Sequence, residues 1–441
     1  MTVRMKPYPK YRPSSVEWAD EVPENWEMKR IDWVMEYSKS PAAVGSMKGF
    51  EVFHYSIPAI EETGDGKIEN VDDISSDKLS LKGGELLVSK LNPRKGIVLV
   101  SEMKKLPVVC SSEFISLVPK AISLRFAFYL YSSELLRQRV SSKVQSATYS
   151  HQRAKPRDIT KLWIDLPSDR EQEEIADFLD RETARIDGIV EKENKLIELL
   201  KEKRSALITR AVTKGLDPNV KMKPSGMEWI GEMPATWQVK RMKFLLASPL
   251  KYGANEAATF EERNWPRYIR ITDFDENGTL REDTFKSLPP EIAVDYMLED
   301  GDILFARSGA TVGKSFQFRQ IDGKACFAGY LIKATPNRAV ILSEFLFALT
   351  KSLLYENWKN SIFIQATIEN IAAAKYKELL ISFPSLEEQR KIVEFIKLEG
   401  DTIDGQISRI EKQIGLLKEY KLSLITAAVT GKIDVRGENN A

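Results

Sequence analysis

Two cysteines and two histidines are all that 441 residues contain, and that scarcity removes several chemistries at once. Cys110 and Cys326 stand far apart and match no disulfide or metal-ligand spacing, which fits a reducing compartment and two buried thiols. His54 and His151 both lie in the first half, so a histidine-based catalytic centre cannot recur in the second. No H-E-x-x-H, paired C-x-x-C or Gly-rich dinucleotide fingerprint is present. Apolar runs of about 18 residues are missing, and the opening MTVRMKPYPKYRPSS lacks the apolar stretch of a secretion signal, so a cytoplasmic protein is expected. The chain also lacks net charge, at +1, and is not basic enough to bind nucleic acid in bulk.

What is present is size and a core. At 441 residues with 43% hydrophobic side chains, two or three domains can be filled. Charge is uneven: Arg137, Arg139, Lys143, Arg153, Lys155, Arg157 and Lys161 face only Asp158 between positions 137 and 161. That density attracts phosphates, with a solvated surface as the plain alternative. GATVGKS (309–315) resembles a phosphate-binding loop but has three residues between its glycines where four are required. The FQFRQIDG that follows alternates like a strand and cannot supply the helix start that would hold phosphates, so nucleotide hydrolysis is not expected.

The strongest signal is an internal duplication. LLKEKRSALITRAVTKG (199–215) recurs as LLKEYKLSLITAAVTGK (416–432), 217 residues later. At the same offset Pro167 matches Pro384, Gln172 matches Gln389, Ile186-Asp187-Gly188 matches Ile403-Asp404-Gly405, and GELLVSK (84–90) answers GDILFAR (301–307). A third pair, KYRPSSVEWADEVPENWEMKR (10–30) and KMKPSGMEWIGEMPATWQVKR (221–241), is identical at ten of 21 positions. Each half reads as a Trp-Pro-Trp segment, a variable domain, Pro-x-x-x-x-Gln, and a long helix. In mid-chain the Trp-Pro-Trp segment follows LITRAVTKG, whereas the first copy's equivalent predecessor, LITAAVTGK, sits near the other end. The halves become equivalent only in a circular arrangement with the chain's ends close together.

From Arg170 to Val212 there is no proline, and Ile175, Leu179, Ile186, Ile189, Leu196, Leu200 and Leu207 recur at helical spacing. Ile392, Ile396, Ile403, Ile410, Leu417 and Leu424 repeat the stripe. A narrow apolar seam on a charged rod needs a partner helix, so an antiparallel two-helix coiled coil is expected, each rod spanning roughly 65 Å. Between the rods, short apolar runs broken by Gly, Pro, Asn and Asp (GELLVSK, GIVLVSE, FISLVP, RYIRITDF, GDILFARSG, KSFQFRQ, GYLIKATP) read as strands, with helices near 123–140 and 342–359. The fold class is α+β: two pseudo-symmetric mixed α/β domains separated by the coiled coil, in a circular pseudo-two-fold arrangement.

Two equivalent domains without a shared catalytic set suit binding. SKLNPRKG (89–96) offers Lys90, Asn92, Arg94 and Lys95, and its counterpart ARSGATVGK (306–314) offers Arg307, Ser308, Thr311 and Lys314. QSATYSHQRAK (145–155) brings Thr148, Tyr149, His151, Gln152 and Arg153, IQATIENIAAAK (364–375) brings Gln365, Thr367 and Asn370, and RYIRITDF adds Arg270 and Thr272. Arg and Lys suit guanine edges and phosphates, Asn and Gln suit adenine, and Ser or Thr suits either base edges or backbone. Each loop taken singly is more often plain surface; recurrence at equivalent positions favours recognition. Two readers on a rigid spacer match the two-fold of duplex DNA, whose turns repeat every ~34 Å, and their divergence implies unlike half-sites.

WADEVPENW and WIGEMPATW, GDILFARSG, PSDREQ and PSLEEQ, and LITRAVTKG with LITAAVTGK strongly resemble the DNA-specificity subunit of Type I restriction-modification systems, over about Trp18 to Val435. The resemblance implies two target-recognition domains alternating with two helical regions: 1–165 (including the segment 10–30), helical region 166–215, 216–383 (including 221–241), helical region 384–435, and a tail 436–441. It implies no enzymatic activity and no cofactor in this chain. Its partners would be double-stranded DNA, two modification subunits that use S-adenosylmethionine to methylate adenine, and ATP- and Mg²⁺-dependent restriction-translocase subunits. By the same resemblance Leu207, Ile208, Leu424 and Ile425, with Trp18 and Trp229, are candidates for docking the modification subunits, intramolecular packing being the alternative. SKLNPRKG lacks the glycine arrangement of ARSGATVGK, so base contacts rest more firmly on Arg307 and Thr311 than on Lys90 and Arg94. The rival from another class is a coiled-coil scaffold whose outlying domains bind proteins.

Overall fold

The computed structural model describes residues 6–16, 20–42, 49–74, 76–144, 152–226, 230–275, 278, 280–309, 311–319, 323–363 and 370–437. The chain divides into two compact units, Met1–Glu193 with Glu411–Ala441, and Asn194–Ile410. The first is assembled from both ends of the sequence. Asp434 N–H donates to the Lys6 carbonyl at 2.7 Å, Arg436 lies 4.6 Å from the centre of the Tyr8 ring, and Tyr8 and Val435 are buried in one core. The expected closeness of the chain's ends is therefore met inside this unit.

Two continuous helices dominate the chain, Asp169–Lys214 and Leu386–Val429. They form because prolines are absent and straight-chain formers (Glu, Lys, Leu, Arg) prevail. In the first unit, Lys421 Nζ donates to both carboxylate oxygens of Asp187 at 2.6 and 2.7 Å. There Trp26 joins the start of one helix to the end of the other: its indole N–H donates to Glu171 at 3.0 Å, and a Cβ on Gly431 would sit 3.3 Å from its ring. The second unit repeats the plan with Arg204 against Asp404 at 3.1 Å. Its Trp237 indole donates to Glu388 at 3.0 Å, and a Cβ on Gly215 would meet that ring at 3.5 Å. In each unit the start of one helix meets the end of the other, and the ion pairs step inward from there, so the paired helices are antiparallel.

The apolar seam departs from expectation at one place. Leu196 is 44% exposed, whereas Ile197 and Ile414, 217 residues apart, are buried. Steps of four and seven residues from Ile186 reach Val190 and Ile197; Leu196 falls about 100° round the helix from that line.

In the first unit the strands Met35–Ser38, Phe114–Pro119, Leu86–Ser89 and Val98–Val100 form one antiparallel sheet in that order. A second sheet runs Lys67–Asn70, Glu51–Tyr55, Val108–Ser111, Lys78–Leu81, its central pair parallel. The second unit has the corresponding sheet Lys251–Tyr252, Leu331–Ala334, Ile303–Ala306, Ser315–Gln317 and the parallel pair Arg267–Ile269 with Ala325–Phe327. The two cysteines turn out to be counterparts: Cys110 lies opposite Tyr55 and Cys326 opposite Tyr268 in the two parallel ladders. Both are fully buried, and burial pushes each thiol up to about 12, as expected of inert core residues.

Each domain is anchored to its long helix by the same buried glutamine. The Gln172 side chain donates to Pro167 O at 2.9 Å and accepts from Ser123 N at 2.7 Å. Gln389 donates to Pro384 O at 3.0 Å and accepts from Leu342 N at 2.7 Å. Ser123 and Leu342 are the N-caps of helices Leu124–Ser132 and Ser343–Leu349, so the Pro-x-x-x-x-Gln spacing supplies one orphan amide at each helix start with an acceptor.

Candidate nucleic-acid interface

In the first unit the strand Leu86–Ser89 runs out into the loop carrying Lys90, Asn92, Arg94 and Lys95. Asn92 adopts a left-handed conformation (φ 47°) that starts the turn Pro93–Lys95, one of the few backbone states where Asn is favoured. Asn92 N–H donates to Gln152 O at 2.7 Å, Ala154 N–H to Lys90 O at 3.0 Å, and Gln152 N–H to the Asn92 side chain at 3.2 Å. Leu91 and Arg153 form the bridge between the two segments. Lys90, Asn92, Gln152 and Arg153 are thus brought together. Arg153 is engaged by Glu113 at 2.8 Å and Lys95 by Glu61. Thr148, Tyr149 and His151 lie outside the described residues.

The second unit repeats this tie at the same offset. Ser308 and Asn370 form the equivalent bridge, and Ile371 N–H donates to Arg307 O at 2.9 Å. The turn between Ile303–Ala306 and Ser315–Gln317 is closed by Gly313 N–H to Ala306 O at 2.7 Å and Lys314 N–H to Thr311 O at 2.9 Å. Gly309 and Gly313 both have φ 78°, and a Cβ on Gly313 would lie 2.3 Å from the Lys359 side chain, so position 313 requires glycine. Ser308, Thr311 and Asn370 share this edge with Arg307, and Lys314 projects outward. Gln365 and Thr367 lie outside the described residues.

Arg307 and Arg270 differ in availability. The Arg307 guanidinium lies 4.9 Å from the Tyr252 ring, and its Nε has no hydrogen-bond partner among the described residues. The ring contact is a cation–π one, and the buried Nε is a donor left without an acceptor among the described residues. Arg270 is committed: its Nε and Nη2 reach Asp273 at 3.2 and 2.8 Å, and Nη2 also reaches Thr284 O at 2.8 Å. It still lines a concave pocket of about 510 Å³ with Thr272, Tyr268 and Tyr330. Burial, with Lys314 nearby, pushes Lys351 down to about 8; its ammonium donates to Ser315 O at 2.8 Å beneath the same turn.

Sequence reasoning passed over Tyr252 and Tyr330. Tyr330 is 64% exposed and its carbonyl accepts from Arg307 N–H at 3.0 Å; the Tyr252 hydroxyl accepts from Ala373 N at 3.0 Å. The signal available was an aromatic beside glycine in both Tyr252-Gly253 and Gly329-Tyr330. Among the partner candidates, Ile208, Leu424 and Ile425 are buried in the cores of their own units and Leu207 is half-buried. Trp18 and Trp229 lie outside the described residues.

Known proteins share this plan. The family described as the Type I restriction modification DNA specificity domain matches residues 23–199 and again 237–414. The chain is 24% identical over 440 residues to the specificity subunit of the Type I restriction enzyme MjaVIII of Methanocaldococcus jannaschii, covering 95% of each. It is 25% identical over 215 residues to the EcoKI specificity subunit of Escherichia coli, covering 47% of this chain and 46% of that one. Among solved structures, a chain from work on complex assembly and conformational transition of the type I R-M system superposes with a TM-score of 0.70 at 15% identity, over 93% of this chain and 99% of that one. With the family's domain present twice, each copy ending in a long helix anchored by a buried glutamine, this chain belongs to the Type I restriction-modification DNA specificity family.

Proposed function

We propose that the chain reads a bipartite, asymmetric DNA sequence with an unread gap and directs partner subunits to it. The observation that carries this reading is the repeated loop tie. Leu91 bridged to Arg153 and Ser308 bridged to Asn370 are the same construction, yet the side chains around them differ: Lys90, Asn92 and Gln152 in one copy, Arg307, Thr311 and Lys314 in the other. One frame with two side-chain sets suits two different half-sites. Arg307, on Tyr252, is assigned to a guanine edge or a phosphate, and Asn92 and Asn370 to base edges or backbone.

The chain acts without chemistry of its own. Two modification subunits supply adenine methylation with S-adenosylmethionine, and restriction-translocase subunits supply ATP- and Mg²⁺-dependent cleavage. A net charge of +1 leaves many phosphate contacts to those partners. The modification subunits dock on the helix ends around Leu207 and the neighbouring Trp-Pro-Trp segments.

Long-read sequencing of methylated adenines in the host genome tests this directly. The expected result is a single interrupted motif with two unlike halves, abolished by deleting this gene. A footprint of the complex with its modification subunits should show two protected blocks. Protection of one continuous block, or none on any duplex, would refute the reading and favour a protein-binding scaffold.

A further inference from the structure

The pocket of about 510 Å³ in the second unit is built by close backbone approach. Gly253-Ala254-Asn255 runs alongside Ala328-Gly329-Tyr330, with Ala254 bridged to Ala328. A Cβ on Gly253 would overlap the Phe327 carbonyl, and one on Gly329 would overlap the Asn255 side chain, so both glycines are needed for the segments to pass. The Tyr268 hydroxyl fixes the first segment, donating to Ala254 O at 2.8 Å and accepting from Glu256 N–H at 3.4 Å. Ala254, Ala257, Ala258 and Ala328 leave open the space that larger side chains would fill.

The lining suits a flat, uncharged guest that forms hydrogen bonds. Tyr330 lines the pocket while 64% exposed, and Asn255 is exposed beside it. Neither side chain has a hydrogen-bond or ring partner among the described residues. Of the charged lining residues, Arg270 is paired with Asp273 at 2.8 Å, and Glu256 is a carboxylate. A phosphate would be repelled by Glu256 and would find no uncommitted cation. A nucleobase would find an aromatic face to stack on and a carboxamide that both donates and accepts.

The pocket lies beside the proposed reading edge. Tyr330 O accepts from Arg307 N–H at 3.0 Å, and Tyr252, on which the Arg307 guanidinium rests, immediately precedes Gly253. The first unit builds this corner differently. There Lys90 N–H donates to Glu113 O at 2.8 Å, which sets Glu113 in the place of Tyr330, and the Glu113 carboxylate is held by Arg153 at 2.8 Å. After Tyr55, the counterpart of Tyr268, the chain enters the helix Ile57–Thr63, where the second unit makes only the turn Ile271–Asp273.

An adenine cannot be methylated while stacked in the duplex, so the modification subunit must extrude it, and the thymine opposite loses its partner. We infer that the pocket shelters this unpaired thymine in the half-site read by the second unit. Tyr330 stacks on the ring, the Asn255 carboxamide bonds to N3–H and a neighbouring carbonyl, and the 5-methyl group lies against the alanines. Asn255 and Tyr330 are thus positioning residues, which stabilise the opened duplex without touching the adenine. The inference rests on the DNA-reading function proposed above and adds an asymmetry: the first unit, with Glu113 and a helix at this corner, offers no such shelter.

The test uses the complex of this chain with its modification subunits and S-adenosylhomocysteine, bound to the motif defined by the host methylome. The half-site of the second unit is identified as the one in which Arg307→Ala relaxes a base position. Permanganate oxidises the C5–C6 bond of thymines that are both unpaired and unstacked. The thymine opposite the target adenine in that half-site is expected to react slowly with wild type and Tyr330→Phe, and about tenfold faster with Tyr330→Ala or Asn255→Ala, at unchanged thermal midpoints. Its counterpart in the other half-site should react alike in all four proteins. An abasic site in place of the sheltered thymine should cancel the affinity difference between wild type and the two alanine variants. Equal reactivity of that thymine in wild type and every variant overturns the inference and leaves the DNA-reading function standing. Alanine variants that weaken assembly with the modification subunits in the absence of DNA, with thymine reactivity unchanged, also overturn it and give the pocket to the partner protein. A wild-type complex that protects no duplex removes both readings together.

Discussion

The side-chain amide of Gln172 donates to the carbonyl of Pro167 at 2.9 Å, five residues back across the start of the long helix, and the same bond joins Gln389 to Pro384 at 3.0 Å. Both glutamines are fully buried. Substituting Gln172→Leu strands the half-buried Ser123 N–H and the buried Pro167 carbonyl, a buried polar group left unpaired being worth about 1–3 kcal/mol. A loss of roughly 2–4 kcal/mol is expected by denaturant unfolding, with Gln389→Leu giving a loss of similar size. An effect below about 0.5 kcal/mol would show that water replaces the amide.

Gly431 ends the second long helix at φ 71°, and a Cβ there would lie 2.3 Å from Pro23. Gly431→Ala combines left-handed strain with a clash against a rigid ring, so a destabilisation of about 2 kcal/mol or more is expected. Gly405→Ala, with nothing within 4 Å of its Cβ and inside a helix, is expected to be neutral or stabilising by about 0.5–1 kcal/mol. Thermal unfolding of the two variants compares them directly.

Arg307→Ala removes a guanidinium held on Tyr252, whereas Arg270→Ala empties a bidentate partner of buried Asp273. The first is expected to weaken or relax recognition at one base position of one half-site by about 1–3 kcal/mol with the thermal midpoint unchanged. The second is expected to lower stability, because the carboxylate of Asp273 keeps fewer partners. Methylome sequencing of strains carrying each variant, beside melting curves, separates the two roles.

His54 is buried with Nδ1 at 2.5 Å from Glu69. Burial pulls its pKa below the ordinary value more strongly than Glu69 raises it. A base with a depressed folded pKa takes up its proton more readily in the unfolded chain. The stability it confers is therefore complete above about pH 6.5 and declines as pH falls from there toward the folded pKa. With two histidines in the chain, imidazole NMR signals are few enough to follow, and His54 should titrate below the ordinary imidazole value. His54→Gln should reduce the acid-side loss of stability between about pH 6.5 and 5.5.

Much of this was legible in the residues. Repeats at a fixed offset disclosed two copies, and GELLVSK, GDILFARSG, FISLVP and GYLIKATP became strands where the apolar runs lay. Recurrence marked the loop at Lys90–Lys95 and the segment with Gln152 and Arg153 separately, but that the two are tied together came only from the fold. The purpose of Pro-x-x-x-x-Gln was not legible, because a glutamine's partners are set by the helix N-cap that folding brings to it, 49 residues away in sequence for Ser123 and Gln172. Leu196 was read into the seam in place of Ile197 because the two are neighbours and apolar alike; only the partner helix distinguishes them. Tyr252 gave no sign of supporting Arg307, since 55 positions separate them.

The sequence by itself determined duplication, helix length, strand placement and the need for both chain ends in one unit, because periodicity and repetition are properties of order along the chain. The tertiary structure decided which charged side chains stay available. Arg270 and Arg153 are consumed by Asp273 and Glu113, while the Arg307 Nε keeps an unused donor. Ion pairing depends on approach within a few ångströms, and that distance exists only after distant segments have packed.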